Sequence, residues 1–174
     1  TNGSTGQVDF ILGGAANGGT AGSLGIWNFY NRVDVAALVQ DNTATWTYAL
    51  AALRAVNASN TNRVTFINGA SEDIVDAVHT TYGVSAATAA AYWVATIGLD
   101  STSAQATNAS AALMTSNTAA TQNAVLMSTW KGLPGVGQHY LQALEASDAT
   151  PHTTTFHGLT SSVQFQSFFV KLKM

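Results

Sequence analysis

VQFQSFFVKLKM, residues 163–174, is the stretch whose reading decides the fold. Val163, Phe165 and Phe169 share one parity, and Phe168, Val170, Leu172 and Met174 share the other. Successive side chains of an extended backbone point to opposite faces, so alternation of this kind predicts a strand. The apolar parity changes near Ser167, which predicts either a β-bulge or a strand buried on both faces.

Similar runs recur upstream. In HYLQALE (139–145), Tyr140 and Leu144 face one way and His139, Leu141 and Ala143 the other. Val125, Met127 and Thr129 alternate with Leu126, Ser128 and Trp130. Residues 92–97 are aromatic and β-branched and stop at Gly98, and 63–67 stop at the turn pair Asn68-Gly69. Val33, Val35, Ala37 and Val39 fall on one face. The runs come about every ten residues with turn signals between them, roughly eight or nine in all, which predicts an antiparallel β-sandwich or jelly roll.

Two segments pull the other way. Ser71 followed by Glu72 and Asp73 has the form of a capped helix start, so a short helix near 71–80 is the one exception expected in an all-β chain. The same residues also read as a strand with Ile74, Val78 and Tyr82 on one face. The Ala-rich stretch 85–91 has helical propensity but leads straight into a strand-like run, and both segments are taken as β. At the other end, GGAANGGTAG (13–22) has neither the Lys-Ser/Thr of a phosphate loop nor the GxGxxG spacing. The expected organisation is a flexible Gly-rich segment over 1–23 and one β-sandwich domain over 24–174.

Composition narrows the function. Only 9% of the residues are charged, against roughly 25% in an average soluble domain. Hydroxyls and amides replace ions, which suits an assembly or an extracellular setting. The six cations are scattered and the net charge is −3, so no basic stripe exists for nucleic acid. No run of eighteen apolar residues predicts a membrane span, and TNGSTGQVDF lacks a signal-peptide pattern. With no cysteine, thiolate metal sites, disulfides and cysteine nucleophiles are excluded.

Catalytic patterns are missing too. His152 and His157 are five apart, on opposite faces of any strand, and the nearest further zinc ligands in sequence are His139 and Glu145. There is no GxSxG elbow, and Glu72, Asp73 and Asp76 lack the spacing of a calcium loop. No catalytic, cofactor or metal residue is therefore expected, and the chain reads as a non-enzyme. Aromatic residues offer another possibility, since rings bind sugars by stacking. Trp27, Tyr30 and Trp130 are the candidate ligand or interface rings.

Several blocks taken together resemble bacteriophage and prophage virion appendage proteins of the tail-fibre or head-fibre type. They are LGIWNFYNRVDV (24–35), WTYALAALRAVNASNTNRVTFINGASEDIVDAV (46–78), IGLDSTSA (97–104), GLPGVGQHYLQALEAS (132–147), TTFHG (154–158) and FFVKLKM (168–174). The resemblance implies a β-sandwich fibre, spike or capsid-decoration subunit on the virion or outside the cell. It implies a homo-oligomer, by preference a trimer, in contact with other virion proteins and with a host-surface glycan, without catalytic residues. Two further expectations are kept beside it: a lectin-like carbohydrate-binding module, and a small secreted hydrolase with a histidine or carboxylate pair in a cleft.

Overall fold

Wherever apolar residues alternate over six positions or more, the computed structural model has a strand, and the strands pair antiparallel throughout. It describes residues 8–12, 20–24, 32–86, 91–116, 121–148, 152–160 and 163–173. No α-helix occurs among them, and a single 3-10 turn at Val56–Ala58 interrupts the strands.

One sheet is built on β7 (Val75–Ala86). Along one edge β7 pairs with β10 (Thr121–Gly132) over its whole length. Along the other edge it meets two shorter strands placed end to end. These are β15 (Ser167–Lys173), opposite residues 76–80, and β12 (Thr154–His157), opposite residues 82–85. Outside them, β3 (Asp34–Val39) pairs with β15 and β4 (Thr45–Tyr48) with β12. The second sheet is built on β11 (Gly137–Ser147). One edge of β11 carries β6 (Arg63–Asn68) and β5 (Arg54–Ala55). The other carries β8 (Ala91–Leu99), which pairs in turn with β9 (Ala112–Ser116). Two hairpins stand outside both sheets: β1 (Val8–Leu12) with β2 (Thr20–Leu24), and β13 (Leu159–Thr160) with β14 (Val163–Gln164).

The inner faces of the two sheets make one core. Val75, Ala77, Leu126, Trp130, Phe156, Phe168, Val170 and Leu172 from the first sheet join Val64, Phe66, Trp93, Ala95, Ile97, Leu141 and Ala143 from the second. Each fully buried large side chain contributes roughly 1.5–3 kcal/mol relative to exposure. Gly83 on β7 leaves the room Trp93 needs, since a Cβ there would sit 2.7 Å from the indole nitrogen. The all-β sandwich expected from alternation is what the chain adopts.

Three expectations change in detail. Residues 75–80 are strand, so the short helix near 71–80 is not formed. The buried residues Val75, Ala77 and His79 alternate with more exposed Asp76, Val78 and Thr80, a period-two pattern that a helix would waste. The parity change near Ser167 is neither a bulge nor a doubly buried strand. It separates two strands, because Val163–Gln164 belongs to the β13–β14 hairpin and Ser167–Lys173 to the main sheet. Gly98 does not end its strand, which continues to Leu99. The β1–β2 pair lies where the expected N-terminal segment meets the sandwich domain, and of residues 1–23 only 8–12 and 20–23 are described.

Candidate functional site

The inner face of β11 turns polar along its length. Leu141 and Ala143 are followed by Glu145 and Ser147, all fully enclosed. Glu145 is met entirely by donors. Trp46 Nε1 donates to it at 2.8 Å, Arg54 Nε at 2.9 Å and Arg54 Nη2 at 2.8 Å, and the Asn57 backbone N–H at 3.2 Å. Burial pushes the Glu145 carboxyl up to about 7, against the pull of Trp46, Arg54 and Asn57. Asn57 extends the network, because its Nδ2 donates to Asp41 Oδ2 at 3.1 Å, beside Asn62 Nδ2 at 2.7 Å. Burial alone would raise Asp41, but the donors of Asn62, Thr43 and Asn57 together hold its carboxyl below the ordinary aspartate range. Glu145 and Asp41 themselves are buried, so the network anchors loops, with the Arg54 side chain left 25% exposed at its edge.

The four histidines divide into two kinds. His139 Nδ1 donates to Asp100 Oδ2 at 2.8 Å, and His152 Nδ1 to Asp148 Oδ2 at 2.7 Å. Each pair is the orienting half of a catalytic relay. Each Nε2, however, is enclosed and has no hydrogen-bond partner among the described residues, so no nucleophile stands on either ring there. His79, on the inner face of β7, is fully buried. Its Nδ1 lies 3.2 Å from the Thr96 carbonyl, which can only accept, so Nδ1 carries the proton. Burial lowers this imidazole to about 4 and keeps it neutral. His157 is half-buried beside Tyr82 and Phe165, with ring centroids 5.0 Å and 6.1 Å away. No group of three or more metal-ligating side chains occurs among the described residues.

Trp27 and Tyr30 lie outside the described residues. Trp130 does not offer a ring to a ligand. It is 4% exposed, belongs to the core, and its indole N–H donates to the Thr107 carbonyl at 2.9 Å. The alternation around it was legible, but both parities of 125–130 are partly apolar. Pattern alone does not say which one faces inward.

The residues that do face outward form an exposed, partly apolar face. On β10, Val125 and Met127 are 62% and 63% exposed. The pairing registers place the outward residues of four strands in rows. Thr129, Val78, Phe169 and Leu38 make one row, with Phe169 40% and Leu38 58% exposed. Met127, Thr80 and Ser167 make the next, and Val125 with Tyr82 another. Below the apolar rows lies a charged one, in which Lys131 and Lys171 flank Asp76. Lys131 Nζ sits 3.4 Å from Asp76, and Lys171 Nζ 2.9 Å from Asp34. A cleft of about 300 Å³ at this end is lined by these four residues together with Glu72, Asp73 and Lys173. Asp73 is paired with Arg32. Which of these residues share a parity was available from alternation. Their assembly into a face was not, since it needs the strand order.

No protein-family model and no curated protein matches this chain.

Proposed function

We propose that this chain is a non-enzymatic structural module that associates with its own copies, a virion fibre, spike or capsid-decoration subunit of the kind its sequence blocks resemble. The observation that carries the reading is the outward face of the first sheet. Leu38, Phe169, Val125 and Met127 stand exposed on paired strands, in a chain that carries very little charge to keep such a face solvated. Contiguous apolar patches of this kind mark association surfaces in soluble proteins. The closed hydrogen bonding of the Glu145 and Asp41 networks supports a role in holding shape rather than in turning over a substrate. Sedimentation or light scattering of the purified chain is the direct test. The expected result is a mass that is a multiple of 18.0 kDa. A chain that stays monomeric at the highest soluble concentration would overturn the reading.

A further inference from the structure

Resting on that reading, we propose that the outward face of β10–β7–β15–β3 binds the same face of a second copy across a twofold axis that runs parallel to the strands, between β7 and β15. The occupant follows from the order of charges. Across the sheet the charged row reads Lys131, Asp76, Lys171 and ends on Ala36 of β3, so the signs alternate over three strands, while Asp34 lies one outward position further along β3, level with Lys173. A half-turn about an axis along the strands reverses the left-to-right order and keeps every row at its own height. Asp76 then stands opposite Lys171 of the second copy, and Lys171 opposite its Asp76. Lys131 comes over Ala36 of β3, two residues from Asp34. The charges opposed in register, Asp76 and Lys171, are of opposite sign, and the pair occurs twice, as an isologous contact requires.

The apolar rows match under the same operation. Val78 meets Phe169 of the second copy, and Leu38 comes over Thr129 and its exposed neighbour Met127. The other twofold axis in the plane of the face, perpendicular to the strands, fails this comparison. It would lay the Lys131–Asp76–Lys171 row over the Val125–Tyr82 end and desolvate charges against apolar side chains. The charged row lies at one end of the face, where it would form a polar rim and set register rather than supply most of the affinity. Packed sheets stand about 10 Å apart, close enough for the lysine side chains to reach across.

The test uses two full-length variants with opposite rows. Lys131→Glu with Lys171→Glu makes the row wholly acidic, and Asp34→Lys with Asp76→Lys makes it wholly basic. Each alone should dimerise at least tenfold more weakly than the wild type, and an equimolar mixture should recover the dimer as a heterodimer. Circular dichroism first establishes that both variants are folded. Met127→Lys, which leaves the row intact, should also give a monomer and serves if a row variant does not fold. A mixture that remains monomeric, or variants that associate like the wild type, would sink the twofold face. In the second case an oligomer persists, so the self-association reading survives while this interface does not. A wild type monomeric up to about 100 µM removes both.

Discussion

Two buried ionisable groups in the same sandwich are both pushed toward their neutral forms by burial but are given very different numbers of partners. Glu145 sits where β11 passes under the loop that carries Asn57, and it collects donors from Trp46, Arg54 and Asn57. His79 sits at the middle of β7, between the sheets, with one backbone carbonyl and the edge of Phe168 for company. The sandwich admits a charge-capable group near its end, where loops can turn polar atoms inward. At its centre, where strands offer only side chains and already paired backbone, it keeps the group neutral. A buried ion needs several partners, and only irregular chain can supply them all from one direction.

The sharpest way to break this contrast is to empty the Glu145 site. Glu145→Ala leaves the Trp46 N–H and the Arg54 guanidinium without their acceptor inside the protein. Breaking a buried pair in this way costs about 3–5 kcal/mol. Urea denaturation should show that loss, and a change below about 1 kcal/mol would mean that water already serves these donors.

The second test separates the two groups by pH. The folded Glu145 carboxyl, at about 7, holds its proton more tightly than an unfolded glutamate at 4.5, so its contribution to stability falls as pH rises from 4.5 to 7. The folded His79, at about 4, takes up a proton less readily than an unfolded histidine at 6.5, so its contribution is lost as pH falls from 6.5 towards 4. The two slopes oppose each other between pH 4.5 and 6.5, and the wild type should be nearly flat there. His79→Leu should uncover stability that declines with rising pH, and Glu145→Gln stability that increases with it, each by up to about 3 kcal/mol across the window. Parallel slopes in the two variants would show that the contrast is wrong.

A smaller effect is expected at Gly158, which lies against the turn that carries Asp41. A Cβ there would approach the carbonyl oxygens of Thr43 and Asp41 to 2.4 Å and 2.6 Å. Those atoms are backbone and yield only by moving the turn, which also feeds Asn57 and through it Glu145. Gly158→Ala should cost about 1–3 kcal/mol. It should also flatten the pH response of the Glu145 site, read from the same denaturation series.

Legibility in the sequence followed clean alternation rather than length alone. The runs that became β3, β6, β8, β10, β11 and β15 all showed alternation, because each buries one face over several positions. The two-residue strands β5, β13 and β14 give no period to detect. Residues 71–80 were ambiguous because an acid-rich start suits a helix N-terminus and an exposed strand face equally. The site was less visible than the fold. Arg54 and Glu145 lie 91 positions apart, and only the shared pairing of β5 with β11 brings them together. Glu145 stood out merely as an acid near His139. Tyr82, His157 and Phe165 drew no attention as a set, yet the Tyr82 and Phe165 ring centroids lie 5.3 Å apart, because β12 docks beside β7.

The position of β15 has a consequence for synthesis. Ser167–Lys173 is an interior strand, with β3 on one side and β7 on the other, and among the described residues β3 pairs with no other strand. During translation, residues 34–39 must therefore wait until residue 173 has cleared the ribosome before they find a neighbour. Through that interval two unpaired strand edges are open to other nascent chains, and closure is a late, non-local step of the slow kind. Delivery of this strand, rather than formation of the longer β7–β10 pair, sets when the sandwich becomes safe from aggregation.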